Sequence, residues 1–250
     1  MKSILAIGCI LMLVTFSACK SSDEPDNRKT YLVKLTNYLG STTYSYDDQD
    51  RLVSENFKTA DASVVPDNTT TYSDFNAAGN PAKVTYHVPA TSTTTTSGVE
   101  YDAHNRLIKL SNYNASNALT GYYAYTYLSN TISETSYYPT GAFSQRFVYT
   151  YDAKNNISSM DIYNYTNTLV QRVTYGTYDD RKSPRDCVNA LRRHTYPLNN
   201  ATAYEIALSA QTYPFTSVHE YNADGYVTKS TTTNKTSGLV RVVTYEYIKK

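Results

Sequence analysis

Tyr44-Ser45-Tyr46-Asp47-Asp48-Gln49-Asp50-Arg51-Leu52 has three close counterparts along the chain. They are Val99-Glu100-Tyr101-Asp102-Ala103-His104-Asn105-Arg106-Leu107, Tyr149-Thr150-Tyr151-Asp152-Ala153-Lys154-Asn155-Asn156-Ile157, and His219-Glu220-Tyr221-Asn222-Ala223-Asp224-Gly225-Tyr226-Val227. Each carries an aromatic anchor (Tyr46, Tyr101, Tyr151 or Tyr221), then Asp or Asn, a polar stretch, and an aliphatic residue six places after the anchor. Degenerate copies start at Phe75, Tyr127 and Tyr178, and a lone final strand contains Tyr245 and Tyr247. The period is about 24 to 29 residues, with one larger gap after Tyr178. A repeat of that length marks a stacked or arrayed architecture.

Turn chemistry explains the pattern. Asp or Asn just after the anchor can accept backbone N–H groups two residues on. Four places after the anchor stand Asp50, Gly79, Asn105, Asn155 and Gly225, residue types that tolerate a left-handed backbone. A type I turn closed by such a residue is a common hairpin connection. Each unit therefore reads as strand, tight turn, strand. At Tyr178 the corresponding place holds Lys182, followed by Pro184, so that copy is not expected to close a normal hairpin.

The flanking strands alternate. Tyr44 and Tyr46 share a face, as do Tyr123, Tyr125 and Tyr127, then Tyr149 and Tyr151, then Tyr245 and Tyr247. Thr, Ser, Glu and Arg fill many intervening places, which predicts an antiparallel meander with one aromatic and one polar face. Composition agrees: there are 27 Tyr and no Trp. Tyr can pack its ring and leave its hydroxyl wet, which suits a sheet with a thin core.

The motif resembles the YD-repeat (rearrangement-hotspot) family signature Tyr-x-Tyr-Asp-x-x-Gly-Arg-Leu. Tyr44 to Leu52, Val99 to Leu107 and Tyr149 to Ile157 match it with Asp50, Asn105 and Asn155 in the Gly place, and the copy around Tyr221 keeps Gly225. The chain is similar to small YD-repeat lipoproteins of Bacteroides-like bacteria. In large family members the repeats curl into a shell around a toxin, which needs a longer chain than this one. The resemblance implies sheet architecture and little about activity.

The expected fold is all-β: an extended, twisted antiparallel sheet of hairpin repeats over residues 31–250, curled toward a half-barrel. A closed barrel or two-sheet sandwich is the alternative. The final strand, Leu239 to Ile248, is placed at an edge. Residues 184–214 break the rhythm and read as a short helical or irregular insertion. Pro184 suits a helix start, Val188 and Leu191 are three apart, and Ala201 to Ala210 reads as a helical turn or connection. The insertion is read either as a plug on the apolar face or as a carrier of binding residues.

The N-terminus has its own logic. Lys2 supplies a positive charge, and Ile4 to Phe16 is an apolar run too short to span a bilayer. It suits a signal peptide over residues 1–18. Phe16-Ser17-Ala18-Cys19 resembles the bacterial lipobox, which makes Cys19 the lipidation site. The alternative is an ordinary signal peptide with a chance cysteine. Residues 19–30 read as the lipidated cysteine and a polar tether. Cys19 followed closely by Asp23 and Glu24 also resembles the surface-export signal of Bacteroides-group lipoproteins, so the cell surface and the periplasmic face both remain open. Two or more acyl chains would anchor the protein stably.

Net charge is +1, so no basic field points to a nucleic-acid partner. Beyond Cys19 only Cys187 remains, which excludes an internal disulfide. His87, His104, His194 and His219 have no partner at ligand spacing. Asp47, Asp48 and Asp50 could hold Ca²⁺, but their place in a turn favours a structural role. Asp179, Asp180 and Asp186 form a second acidic group with the same two readings. No G-x-S-x-G or phosphate loop occurs, and no catalytic residue, metal or cofactor is assigned.

Three function classes follow. The first is an outer-membrane or cell-surface lipoprotein acting as a non-catalytic binding module for a glycan, a peptide or an envelope protein. The second is a structural or assembly lipoprotein of the periplasm. The third is a polysaccharide hydrolase with a site near Asp179 or Asp180.

Overall fold

The computed structural model describes residues 28–188, 191 and 198–250. The signal peptide, Cys19, most of the tether and His194 lie outside the described residues. Sixteen strands follow one another in chain order. They are β1 (Thr30–Asn37), β2 (Gly40–Tyr46), β3 (Leu52–Thr59), β4 (Asn68–Phe75), β5 (Pro81–Val88), β6 (Thr93–Tyr101), β7 (Leu107–Tyr113) and β8 (Leu119–Leu128). Then come β9 (Thr131–Tyr137), β10 (Phe143–Tyr151), β11 (Ile157–Tyr163), β12 (Leu169–Lys182), β13 (Asn199–Leu208), β14 (Gln211–Tyr221), β15 (Val227–Asn234) and β16 (Val240–Lys249). Every strand pairs antiparallel with its chain neighbours, and β16 pairs with β1.

That last pairing corrects the expectation of an open or half-curled sheet. Tyr31 faces Ile248 and Leu35 faces Tyr245 across the seam. Lys29 and Lys250 then exchange both backbone hydrogen bonds at 3.1 Å. The final strand is not an edge: it closes a barrel, the alternative architecture, and the closed wall leaves no unpaired edge. Lys29 and Thr30 belong to this wall, not to the tether.

The turns behave as their residues require. Asp47 accepts the N–H groups of Gln49 at 3.0 Å and Arg51 at 2.9 Å. Asp102, Asp152 and Asn222 accept the equivalent pairs in their own turns. Asp50, Asn105 and Asn155 have φ of 63°, 59° and 60°, and Gly79 and Gly225 are left-handed as well. The motif also recurs at the opposite end, where it went unread. Tyr113-Asn114 to Leu119 and Tyr163-Asn164 to Leu169 place Asn117 and Asn167 at φ 58° and 57°. The true unit is the single hairpin, used at both ends. We call the end bearing the 47–50 turn and both described chain ends the near end, and the other the far end.

The anchor tyrosines explain why the motif needs an aromatic. The Tyr127 hydroxyl donates to the Leu107 carbonyl at 2.8 Å. Tyr101 does the same to Pro81 at 2.9 Å, Tyr178 to Ile157 at 2.6 Å, and Tyr247 to Val227 at 2.7 Å. These four anchors thus reach the residue six places after the preceding anchor at the near end, whereas Tyr46 donates to the Leu32 carbonyl and Tyr221 to Asp179. The motif arginine adds a second link. Arg106 pairs with Asp102 at 2.7 Å and lies 4.7 Å over the Tyr127 ring. Arg51 pairs with Asp47 at 2.6 Å and lies 4.1 Å over Phe75.

The expected insertion shrinks. Among the described residues, a 3-10 helix at Pro184–Cys187 follows β12, and the wall resumes with β13 at Asn199. Ala201 to Ala210 is mostly strand β13, and Pro214 lies inside β14. Alternation of Tyr204, Ile206 and Leu208 outweighs the helical reading of this alanine-containing stretch. At Tyr178 the strand runs on to Lys182 without a tight turn, as the missing turn residue predicts. The interrupted segment turns inward. Val188 is 1% exposed and packs with Leu32, Tyr44 and Leu52. Leu191 packs against the cluster of Val99, Leu107, Leu110 and Tyr125. This is the plug of the apolar face.

Two predictions follow from the turns and rungs. Asn105→Ala should lower stability by about 1 kcal/mol, while Asn105→Gly should be neutral or stabilising, as denaturant midpoints will show. Burial pushes the phenols of Tyr101 and Tyr127 up to about 12. An unfolded phenol loses its proton near pH 10, so stability is full below that pH and falls as pH rises toward 12. Alkaline unfolding should coincide with phenolate absorbance. Tyr127→Phe, which strands the Leu107 carbonyl, should cost about 1 kcal/mol at neutral pH.

Candidate ligand-binding lumen

Register settles which side chains face inward. Paired residues share a face, and the two buried clusters mark the inner one. Tyr127 pairs with Ile132, Ile132 with Tyr149, Tyr149 with Met160, and Met160 with Val173. Val173 continues to Ile206, and Tyr175 to Tyr204 and Phe215. The inner wall is therefore aromatic and aliphatic from β8 to β14, while Thr70 and Thr95 flank Tyr86 and Ser217 pairs with Thr232 on the same face elsewhere.

The outer wall is the opposite. Cross-strand partners there are Lys34 with Glu246 at 3.0 Å, Glu100 with Lys109 at 3.4 Å, and Glu220 with Lys229 at 2.7 Å. Arg172 holds Asp161 with two contacts of 2.6 Å. Thr43, Thr69, Thr71, Thr85, Thr94 and Thr96 fill places between the charges. A lipid-facing wall needs an apolar band about 25 Å tall, and a lysine or arginine at its middle costs about 2–4 kcal/mol. The outer face thus carries these ion pairs together with Tyr113, Tyr122, Tyr137 and Tyr163 and exposed valines such as Val218 and Val242.

Sixteen strands enclose more space than those rings fill. A strand spacing of about 4.8 Å and a tilt of about 40° give a backbone radius of roughly 16 Å. Extensive backbone contacts run only between ladder neighbours and between the 3-10 helix and β1, so opposite walls do not collapse together. Many inward rings are accordingly half-buried, among them Phe57, Phe147, Tyr204 and Phe215, and Tyr86 is 38% exposed.

The two ends differ. The near end holds the plug and the tyrosine rungs. Asp179 accepts hydrogen bonds from Asn200, Arg181 and Tyr221, while Asn156 and Asn199 bond each other, which ties the plug's flanks to the rim. At Tyr127 a turn of only Ser129 and Asn130 leaves a notch between the longer neighbouring hairpins. That notch encloses about 600 Å³ and is lined by Leu128, Ile132, Tyr151 and Leu198. The far end is crowned with exposed apolar and aromatic side chains, including Tyr38, Val64, Tyr138, Tyr165 and Leu239.

At the far end an aromatic stack crosses three strands. Tyr175 and Tyr204 lie 6.0 Å apart, and Tyr204 stacks on Phe215 at 4.8 Å with an interplanar angle of 7°. Arg241, inward-facing on β16 through its pairing with Thr232, lies 4.8 Å over the Tyr38 ring. Burial raises the Tyr204 phenol, and the Arg241 charge pulls it back.

The acidic groups singled out in the sequence are employed by the backbone. Asp47 is held below the usual carboxylate range by Arg51 and by turn N–H groups. Asp179 is occupied as described, Asp180 is 96% exposed, and the side chain of Asp186 is not among those described. His104 sits in its turn, His87 meets Thr94 at 3.0 Å, and His219 meets the Ala201 carbonyl at 3.0 Å. Among the described residues no three His, Cys, Asp or Glu side chains gather as a metal site. Sequence reading missed Tyr175, Tyr204, Phe215 and Arg241. Period-two alternation through 202–208 and 213–219 was the available signal.

No family model matches this sequence, and no curated protein matches it. Solved structures do resemble it. A porin-like protein from Bacteroides vulgatus is 11% identical with a TM-score of 0.56, the match covering 86% of this chain and 98% of that one. A porin-like protein from Bacteroides uniformis is 15% identical with a TM-score of 0.44, covering 88% and 98%. The first of these establishes a shared fold. The motif resemblance noted in the sequence is accounted for by hairpin geometry, without a family match to extend it.

If the inner wall is a binding surface, substitution there will be cheap for folding and costly for binding. Phe215→Ala should leave a cooperative thermal transition in place while weakening any ligand by roughly tenfold. Arg146→Ala, on the outer wall, should leave ligand affinity unchanged. Calorimetry on both variants checks this.

Proposed function

We propose that this is an exported, lipid-anchored envelope protein whose barrel is a non-catalytic binding module. The observation that carries the reading is the pairing of ion-paired charges on the outer face with half-buried aromatic rings on the inner face of β8 to β14. A barrel with this outer wall sits in water, so attachment to a membrane needs a separate device. The lipobox-like segment ending in Cys19 supplies one. The tether joins the barrel at the near end, next to Lys29 and Lys250. Roughly nine residues of extended chain reach at most about 30 Å. The plugged end would then face the membrane and the open far end would face away from it.

The fold likeness to porin-like Bacteroides proteins supports an envelope location, and the lumen takes the place of a surface groove as the binding site. Glycans, peptides and envelope-protein segments are the ligand classes that suit an aromatic wall. An assembly role has one observation in its favour, the exposed apolar crown at the far end.

Two measurements test the reading. Fatty-acid analogue labelling should mark the full chain, and Cys19→Ser should abolish both label and membrane retention. Protease shaving of intact cells, with a tag after Lys250 and a periplasmic control protein, should remove the tag while sparing the control. A tag that survives until the outer membrane is opened sinks surface display and leaves the periplasmic assembly role.

A further inference from the structure

Register places a cation, Arg241, on the inner face at the far mouth of the lumen. Arg241 makes no ion pair or hydrogen bond among the described residues; its contact is the face of Tyr38. Of the other cations near aromatic rings, Arg146 lies 4.5 Å over Tyr163 and has no ion pair among the described residues either, but register turns it to the outer face. Arg51 and Arg106 are tied to Asp47 and Asp102, and Lys109 to Glu100. The charged residues that register places on the inner wall with Arg241 are Glu55 and Glu134. Glu55 accepts the Tyr72 hydroxyl at 2.8 Å, and Glu134 is buried against its neighbours Tyr125 and Phe147.

Next to this cation the aromatic stack stops. Tyr175, Tyr204 and Phe215 descend across β12, β13 and β14, and the next inward position on β15 is Asn234. The Asn234 amide oxygen is committed to its own turn, accepting the N–H groups of Thr236 at 2.8 Å and Ser237 at 3.0 Å. The ladder of rings therefore ends at Phe215, with a guanidinium two strands away. A ring with an apolar face extends such a stack, and a planar carboxylate suits the guanidinium fork.

We propose that this mouth binds a carboxylate-bearing sugar ring, stacked at the Phe215 end of the ladder with its carboxylate on Arg241. The assignment rests on the lumen reading above and deepens it. It selects acidic over neutral saccharides, because only the acid gives the guanidinium a charged partner.

The test uses the full-length protein in detergent and two probes, a glucuronic-acid oligosaccharide and its neutral glucose counterpart, with affinities from calorimetry. The acidic probe should bind at least roughly tenfold tighter, and Arg241→Gln should bring it to the neutral level. Phe215→Ala should weaken both probes. Arg241→Met, which keeps the stem against Tyr38, guards against a folding artefact and should match Arg241→Gln. Equal affinity for the two probes overturns the acidic-sugar assignment; if Phe215→Ala still weakens them, the lumen reading survives. Binding of neither probe overturns the assignment too. An acidic peptide that binds as tightly as the sugar, with the same Arg241 dependence, transfers the site to peptides and removes the sugar class.

Discussion

Everything in this barrel depends on one short-range interaction, a side-chain oxygen accepting two backbone N–H groups in a tight turn. Asp47, Asp102, Asp152 and Asn222 each satisfy backbone donors around the left-handed residue three places later. The turn sets the register of its two strands, and register sets which face each side chain takes. Repeated at both ends, the same device turns a local preference into a wall. Tyr101, Tyr127, Tyr178 and Tyr247 then couple one turn to the next, because each of these hydroxyls ends on a carbonyl of the preceding near-end hairpin.

Tyrosine suits this wall for a physical reason. A sixteen-strand barrel cannot fill its interior with side chains, so its inner face is neither a dry core nor a free surface. Leucine there would leave apolar area wet, and a charged residue would lack a partner. A phenol packs its ring on the wall and keeps a polar group for a carbonyl or for water. Two dry clusters are each completed by a residue of the inward-turning segment, Val188 in one and Leu191 in the other. Elsewhere on the inner wall Phe57, Phe147, Tyr204 and Phe215 remain half-buried, which is the property a binding surface needs.

Legibility of the fold and of the site differed. The near-end hairpins could be read because Tyr, Asp or Asn, the left-handed residue and the aliphatic residue occur at fixed spacing. The far-end hairpins use the same spacing, but their anchors Tyr113, Tyr137 and Tyr163 pair with outward-facing residues. Searching for core aromatics passed over them. Residues 201–214 were misread because alanine and proline there suggested a helix or loop, whereas β14 carries Pro214 within the wall. Arg241 had no local signature at all. Its meaning comes from Tyr38, Tyr204 and Phe215, which are far from it in sequence.

The sequence by itself determined the all-β class, the near-end turn conformations and the alternation of aromatic and polar faces. These are local properties, decided by residues within a few places of one another. Closure was decided only by the tertiary structure. Whether β16 meets β1 or leaves an edge depends on the twist and shear accumulated over fifteen earlier pairings. The candidate site depends on the same event. Until the wall closes, its aromatic face is one side of a sheet; after closure it is an interior with a mouth, and Arg241 stands beside the stack it completes.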